Sequence, residues 1–196
     1  MNKPTFPPPH FEHHAARRHF LRHAAGLAVA GAAVARAQRV QAAVASRPDA
    51  RRLDFSHTHT GEQLSLVYAV GSEYLPAALT ALNRLLRDHY GGQVGSIDPA
   101  LFDLLFKVQR ELQAGAPFQV ISGYRSPVTN TTLRKTRGGG VAKHSLHMEA
   151  KAIDIRIAGV ALPDLRDAAQ SLQGGGVGFY PREQFVHVDT GRVRRW

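Results

Sequence analysis

The run AIDIRI at residues 152–157 alternates like a β-strand, yet it sets a carboxylate between two isoleucines. Successive strand side chains point to opposite faces, so Ile153 and Ile155 enter a core only if Asp154 projects away from it. A carboxylate beside a core is costly unless something pairs with it. A second run, QFVHVDT at 184–190, repeats the problem, because His187 and Asp189 share the face opposite Val186 and Val188. If the two strands pair, Asp154 and His187 converge. His147, on the turn leading into the first strand, then closes a third side. Two imidazoles and one carboxylate, with water in a fourth position, form a catalytic zinc arrangement. The spacing leaves a second reading open, in which each histidine is an ordinary hydrogen-bonded residue.

The chain has 196 residues, about one domain by length, and no cysteine. That excludes disulfides, thiolate zinc sites and thiol nucleophiles together. Any metal must rest on His, Asp or Glu, which suits a hydrolytic site better than a closed structural one. The net charge is +10. Residues 1–37 hold Lys3, Arg17, Arg18, Arg22 and Arg36 against Glu12, which leaves 20 basic and 14 acidic residues for the rest. Such a surface suits nucleic acid, anionic lipid or an acidic wall polymer.

The N-terminus separates these. Residues 17–37 read RRHFLRHAAGLAVAGAAVARA: an arginine pair, a mild apolar run from Ala24 to Ala35, then small-x-small sites ending at Ala35 and Ala37. These are the three parts of a signal peptide, and the pair resembles a twin-arginine export signal. The apolar run is too short for a membrane-spanning helix. Residues 1–37 are therefore expected to be a signal peptide directing the protein to the periplasm, which makes nucleic acid an unsuitable partner. HFEHH, near the start, falls within this leader.

Residues 38–52 are polar and alanine-rich and read as a linker. Two apolar segments flank Thr60-Gly61-Glu62, a hairpin pattern. Leu75, Leu79, Leu82, Leu85 and Leu86 fall at helical spacing. Asp98-Pro99 reads as an N-cap with proline at the first helical position, opening a helix through Leu112. Phe118–Ile121 reads as a strand ending at a turn that presents Arg125. Residues 126–144 are polar and read as a long mobile loop, Leu162–Leu172 as a helix, and GGGVGFYP as a glycine turn. Strands in both halves, without regular βαβ alternation, indicate an α+β fold with a central antiparallel sheet and flanking helices.

The string SLHMEAKAID resembles the SxHxxGxAxD motif of the peptidase M15 group, which has the DD-peptidase/Hedgehog-like zinc fold. The fuller set SGYRS, TLR, AKHSLHM, AIDIRI, GGVGFYP and FVHVDTGRVRRW is similar to the YcbK-like branch of that group, over about residues 53–196. The resemblance implies Zn2+ held by His147, Asp154 and His187. It also implies that Arg125 anchors or polarises the scissile carbonyl. Two departures stand out: the motif's glycine is Ala150 here, and the positions from which M15 relatives supply a base hold Phe185 and Gln184, neither able to take a proton. Asp189 is the first choice for the base because it shares a strand face with His187; its alternative role is to orient that imidazole. Glu149, Glu183 and His144 are further candidates.

These readings together describe an exported zinc peptidase acting on amide bonds in peptidoglycan cross-links. A non-catalytic wall-binding module with structural zinc, and a carboxypeptidase on the same fold, are the alternatives.

Overall fold

The computed structural model describes residue 44, residues 46–136 and residues 141–196. The expected signal peptide lies outside the described residues. The first strand, β1 (Ala50–His57), takes in the last three residues of the expected linker. It pairs antiparallel with β2 (Gln63–Val70) across the hairpin, and Gly61 supplies the left-handed turn conformation at φ +71°. β3 (Glu73–Tyr74) follows, then α1 (Pro76–Leu85) and α2 (Pro99–Glu111). Asp98 caps α2 as its sequence indicates, its carboxylate accepting from the Ala100 N–H at 3.0 Å.

After β4 (Phe118–Ser122) the chain forms α3 (Pro127–Thr136), β5 (Ala152–Ile157), α4 (Leu162–Ser171), β6 (Gly176–Tyr180), β7 (Phe185–Asp189) and β8 (Arg194–Arg195). The eight strands form one sheet in the order β3-β2-β1-β4-β5-β7-β6-β8. It is mostly antiparallel; β1 with β4 and β6 with β8 are the parallel pairs. The fold is α+β, as the sequence indicates. Leu53, Phe55, Phe118, Val120, Ile153, Ile155, Val186 and Val188 join the helix leucines, among them Leu82, Leu101, Leu105 and Leu165, in one buried core.

Two expectations are corrected. The stretch expected as a mobile loop at 126–144 contains α3. Its helical signal is weak because threonine and asparagine are modest helix formers and the helix offers the core one leucine, Leu133. Local bonds compensate: the Ser126 hydroxyl accepts from the Thr129 N–H at 3.2 Å. Thr131, Thr132 and Thr136 each donate to the carbonyl four residues earlier.

The expected glycine turn at GGGVGFYP is strand β6. Glycine ordinarily weakens a strand, but here the neighbours leave no room for a side chain. A Cβ at Gly178 would lie 2.6 Å from the Trp196 indole, and one at Gly175 would lie 1.8 Å from the Asp189 carbonyl oxygen.

Candidate metal centre

Three strands and a turn build the site. The Cα register pairs Asp154 of β5 with His187 of β7, so the two side chains emerge next to each other. An irregularity in β4 between Val120 and Ser122 brings Ser122 opposite Asp154. His147 sits on a tight turn whose successive N–H groups bond back to Ser145, Leu146 and His147. That turn closes at Ala150, where the backbone is left-handed at φ +56°. The conformation accounts for a glycine in the resembled motif, since a Cβ there costs roughly 1–2 kcal/mol.

His147, Asp154 and His187 are all buried and each aims one ligand atom at a common point. His147 Nε2 lies 3.2 Å from Asp154 Oδ1 and 3.2 Å from His187 Nδ1, and His187 Nδ1 lies 2.9 Å from Asp154 Oδ1. Ligands about 2.0–2.1 Å from a tetrahedral zinc stand about 3.3 Å apart, so the triangle is close to that size.

The outer bonds fix which nitrogens carry protons. His147 Nδ1 is 2.7 Å from the Gly123 carbonyl, an acceptor only, so Nδ1 donates and Nε2 holds the lone pair. His187 Nε2 lies 3.0 Å from Asp189 Oδ2 and donates to it, so in the neutral ring, the form a metal binds, the lone pair is on Nδ1. Both tautomers therefore turn their lone pairs inward, the disposition a cation requires.

Charge tells the same story. Burial opposes ionisation of Asp154, but the charges and hydrogen bonds of His147 and His187 hold its pKa far below the carboxylate range. Burial disfavours a charged His187, yet its bonds to Asp154 and Asp189 push its pKa up to about 9. A metal ion bound by this group would have to displace that proton.

Asp189 is fully buried. Its oxygens accept from the Gly176 N–H at 2.9 Å, the Gly191 N–H at 2.8 Å and Arg194 at 2.8 and 3.1 Å, besides His187. These bonds outweigh burial and hold its pKa well below normal.

Arg125 reaches the site from the turn after β4. Its guanidinium is 3.7 Å from Asp154 Oδ2 and 3.5 Å from both Asn130 Oδ1 and Ser122 Oγ. The turn is clamped on every side. Tyr124 N donates to the Leu86 carbonyl at 2.7 Å and Arg125 N to the His147 carbonyl at 3.1 Å. Ser126 N donates at 2.9 Å to Asp88 Oδ2, a buried carboxylate that also accepts from the N–H groups of Tyr90 and Gly91. Nothing in the sequence marks Asp88, because a lone acid after a helix carries no distinctive signal.

The centre opens into a cleft of about 310 Å³. Arg125, His144 and Glu183 line it, as do His59, His89, Tyr180, Phe185 and Trp196. Asp189 and Glu149 are not among the lining residues; Glu149 is exposed and bonds Lys151 at 3.0 Å.

A family profile described as peptidoglycan L,D-endopeptidase MepK, Peptidase M15_2, matches residues 45–196. The chain belongs to that family. The peptidoglycan L,D-endopeptidase MepK of Escherichia coli strain K12 is 46% identical over 154 residues, spanning 79% of this chain and 84% of the relative. A Haemophilus influenzae protein named "Probable peptidoglycan L,D-endopeptidase MepK" is 45% identical over 155 residues, 79% of this chain and 83% of that one. The inward-facing His-Asp-His group thus lies in a metallopeptidase family, and the chain is an enzyme of that class.

Proposed function

We propose that this chain is an exported zinc endopeptidase that hydrolyses L,D amide cross-links between peptidoglycan stem peptides. The observation that carries the reading is the pair of locked tautomers: two imidazoles and a carboxylate direct their lone pairs to one point at the edge of a cleft. The printed activity of the family and of its relatives supplies the substrate class. A peptidoglycan substrate places the protein in the cell envelope, and Arg17-Arg18 supports the twin-arginine route to the periplasm.

His147, Asp154 and His187 would hold the zinc, which supplies Lewis acidity that polarises a carbonyl and acidifies water. The protein's own groups do the rest. Arg125, fixed by its clamped turn and facing the Asp154 edge of the site, offers N–H donors to the oxygen on which charge develops during attack. Asp189 keeps the proton on His187 Nε2 and so keeps Nδ1 available to the metal. Its burial and its full set of donors support this orienting role over proton transfer. The proton acceptor then falls to a group on the cleft wall, Glu183 or His144, which shuttles the proton to the leaving amine.

Incubation of the zinc-loaded protein with defined muropeptide dimers tests the reading. Monomers released from L,D-linked dimers, abolished by a chelator and restored by zinc, are expected. Retention of dimers without cleavage would identify a wall-binding module instead, and loss of only a terminal residue would identify a carboxypeptidase.

A further inference from the structure

The strand order sets β1 and β8 on either side of β5 and β7, the strands that carry Asp154 and His187. From the β1 side the cleft is lined by His59, stacked on His89 with ring centres 4.3 Å apart. From the β6 and β8 side it is lined by Tyr180, Phe185 and Trp196. Register explains their grouping. β6 and β7 pair Gly178 with His187 and Tyr180 with Phe185. Alternation then puts Tyr180 and Phe185 on the sheet face that carries His187 and its partner Asp154. The two rings stack there, centres 4.5 Å apart and planes 18° from parallel. β8 runs parallel to β6 with Arg195 beside Val177. The Trp196 N–H donates to the Val177 carbonyl and the Phe179 N–H to the Trp196 carbonyl, so Trp196 flanks Gly178.

The indole goes where Gly178 has no side chain. A Cβ there would lie 2.6 Å from it. The bare strand lets the ring approach His187 to 5.3 Å between ring centres. Trp196 Nε1 donates to the Tyr180 hydroxyl at 2.8 Å, and the Arg194 guanidinium covers the ring at 4.8 Å. Arg194 is itself held by both Asp189 oxygens and the Arg192 carbonyl. The ring is thus fixed, yet Trp196 stays 49% exposed. Ordering so large a side chain costs entropy that half-burial only partly offsets. Tryptophan has an apolar body and one polar tip. Here the tip is taken by Tyr180, so the part left to the cleft is apolar.

Distance chooses the occupant. An extended chain advances about 3.3–3.6 Å per residue, so whatever rests on this indole lies within about one residue of a carbonyl at the metal point. An L,D cross-link joins two diamino acids, and each sets a run of methylenes directly beside the amide. The saccharides begin two residues farther along the stem, roughly 7 Å beyond.

We propose that Trp196, with Tyr180 and Phe185, forms a specificity subsite for the methylene chain of the diamino acid beside the scissile amide. This rests on the peptidase reading above and names what holds one flank of the substrate. A flank laid on fixed rings also holds the amide in place between the metal point and Arg125.

The test uses the zinc-loaded protein and three L,D-linked dimers. One carries its saccharides, one is stripped of them, and one is a synthetic sugar-free dimer whose diamino acids are each shorter by one methylene. Cleavage is followed by chromatography and binding by calorimetry. Burying one methylene is worth about fourfold in affinity. Wild type should therefore lose about two- to fourfold in kcat/KM on the shortened dimer, chiefly through KM. Trp196→Ala should lose at least about tenfold on both full-length dimers and should no longer distinguish the shortened one. Trp196→Phe, which keeps a ring, should recover to within about threefold of wild type. Zinc content should match wild type in both variants, which separates a substrate contact from a prop for His187. Equal handling of full-length and shortened dimers by wild type overturns the subsite without any variant. So does a Trp196→Ala penalty confined to the saccharide-bearing dimer, which would make the rings a sugar platform, or a penalty that excess zinc removes. Should wild type cut none of the three, the peptidase reading fails. The same ratios read from calorimetric affinities then decide the subsite, and binding to none of the dimers overturns it too.

Discussion

Replacing Asp189 by asparagine exchanges one oxygen for an NH2 group at nearly constant volume. The carboxylate receives donors on both oxygens: the Gly176 and Gly191 N–H groups and Arg194 on Oδ1, His187 and Arg194 on Oδ2. An asparagine that keeps its oxygen toward the glycines turns its NH2 toward His187 and Arg194, donor against donor. His187 escapes only by moving its proton to Nδ1, which removes a lone pair from the metal point. Loss of such an outer bond costs about 10–100-fold in metal affinity, or about 1.4–2.7 kcal/mol. The Arg194 pairing is lost as well, but that side chain is 31% exposed, so water screens the loss and the fold should survive. Zinc competition against a chromophoric chelator measures the first quantity. Turnover at limiting and at saturating zinc completes the assay, and saturating zinc should restore activity. Unchanged zinc affinity together with a ~10²–10⁴-fold fall in turnover at saturating zinc would refute the orienting role and make Asp189 the base.

Arg125→Lys keeps the charge but not the planar fork, so turnover should drop at least tenfold with zinc content unchanged by elemental analysis; near-normal turnover would remove the carbonyl-facing role. Of Glu183→Gln and His144→Gln, the one that removes the proton acceptor should flatten one limb of the pH–rate profile while the other leaves it standing. Equal profiles in both would send the search elsewhere. Stability should also depend on His89: burial, with its neighbours His59 and His57, holds its pKa at about 4, below the ordinary 6.5, so between these values the unfolded chain binds a proton that the native ring refuses. Stability is therefore present above pH 6.5, falls as pH drops toward 4, and levels off below. For this half-buried ring the loss is on the order of 1 kcal/mol after solvent screening. Urea midpoints at pH 7 and pH 5 should differ less in His89→Gln than in wild type.

The centre was legible because its residues interrupt strand patterns. Asp154 among isoleucines and His187 with Asp189 opposite two valines announce a polar face, and strand pairing does the remainder. The turn holding His147 was legible as a position, though not its left-handed close at Ala150. What stayed hidden depends on contacts distant in sequence. Strand β6 reads as a turn until Trp196 and the Asp189 backbone are seen to occupy the space its glycines leave. Helix α3 carries little helical preference of its own and is held by Ser126, Leu133 and Asn130, the last bonding the Ala142 carbonyl at 3.1 Å. The Asp88 clamp joins residues 38 positions apart, and no local pattern encodes it. His59 and His89 are 30 positions apart and met only because β1 runs beside β4.

The segment after α1 has a consequence for changing what this enzyme accepts. In 86–92, Leu86 and Asp88 anchor the turn that carries Arg125, while His89 and Tyr90 face the cleft. The cleft wall and the turn carrying Arg125 are thus tied through adjacent residues of one short stretch. Transplanting a foreign loop here to redirect specificity would unseat the guanidinium along with the wall. Point changes at His59, which comes from the β1–β2 hairpin and stacks on His89, leave the bonds to Leu86 and Asp88 untouched, so diversification of this enzyme is expected to be tolerated on the hairpin and resisted in 86–92.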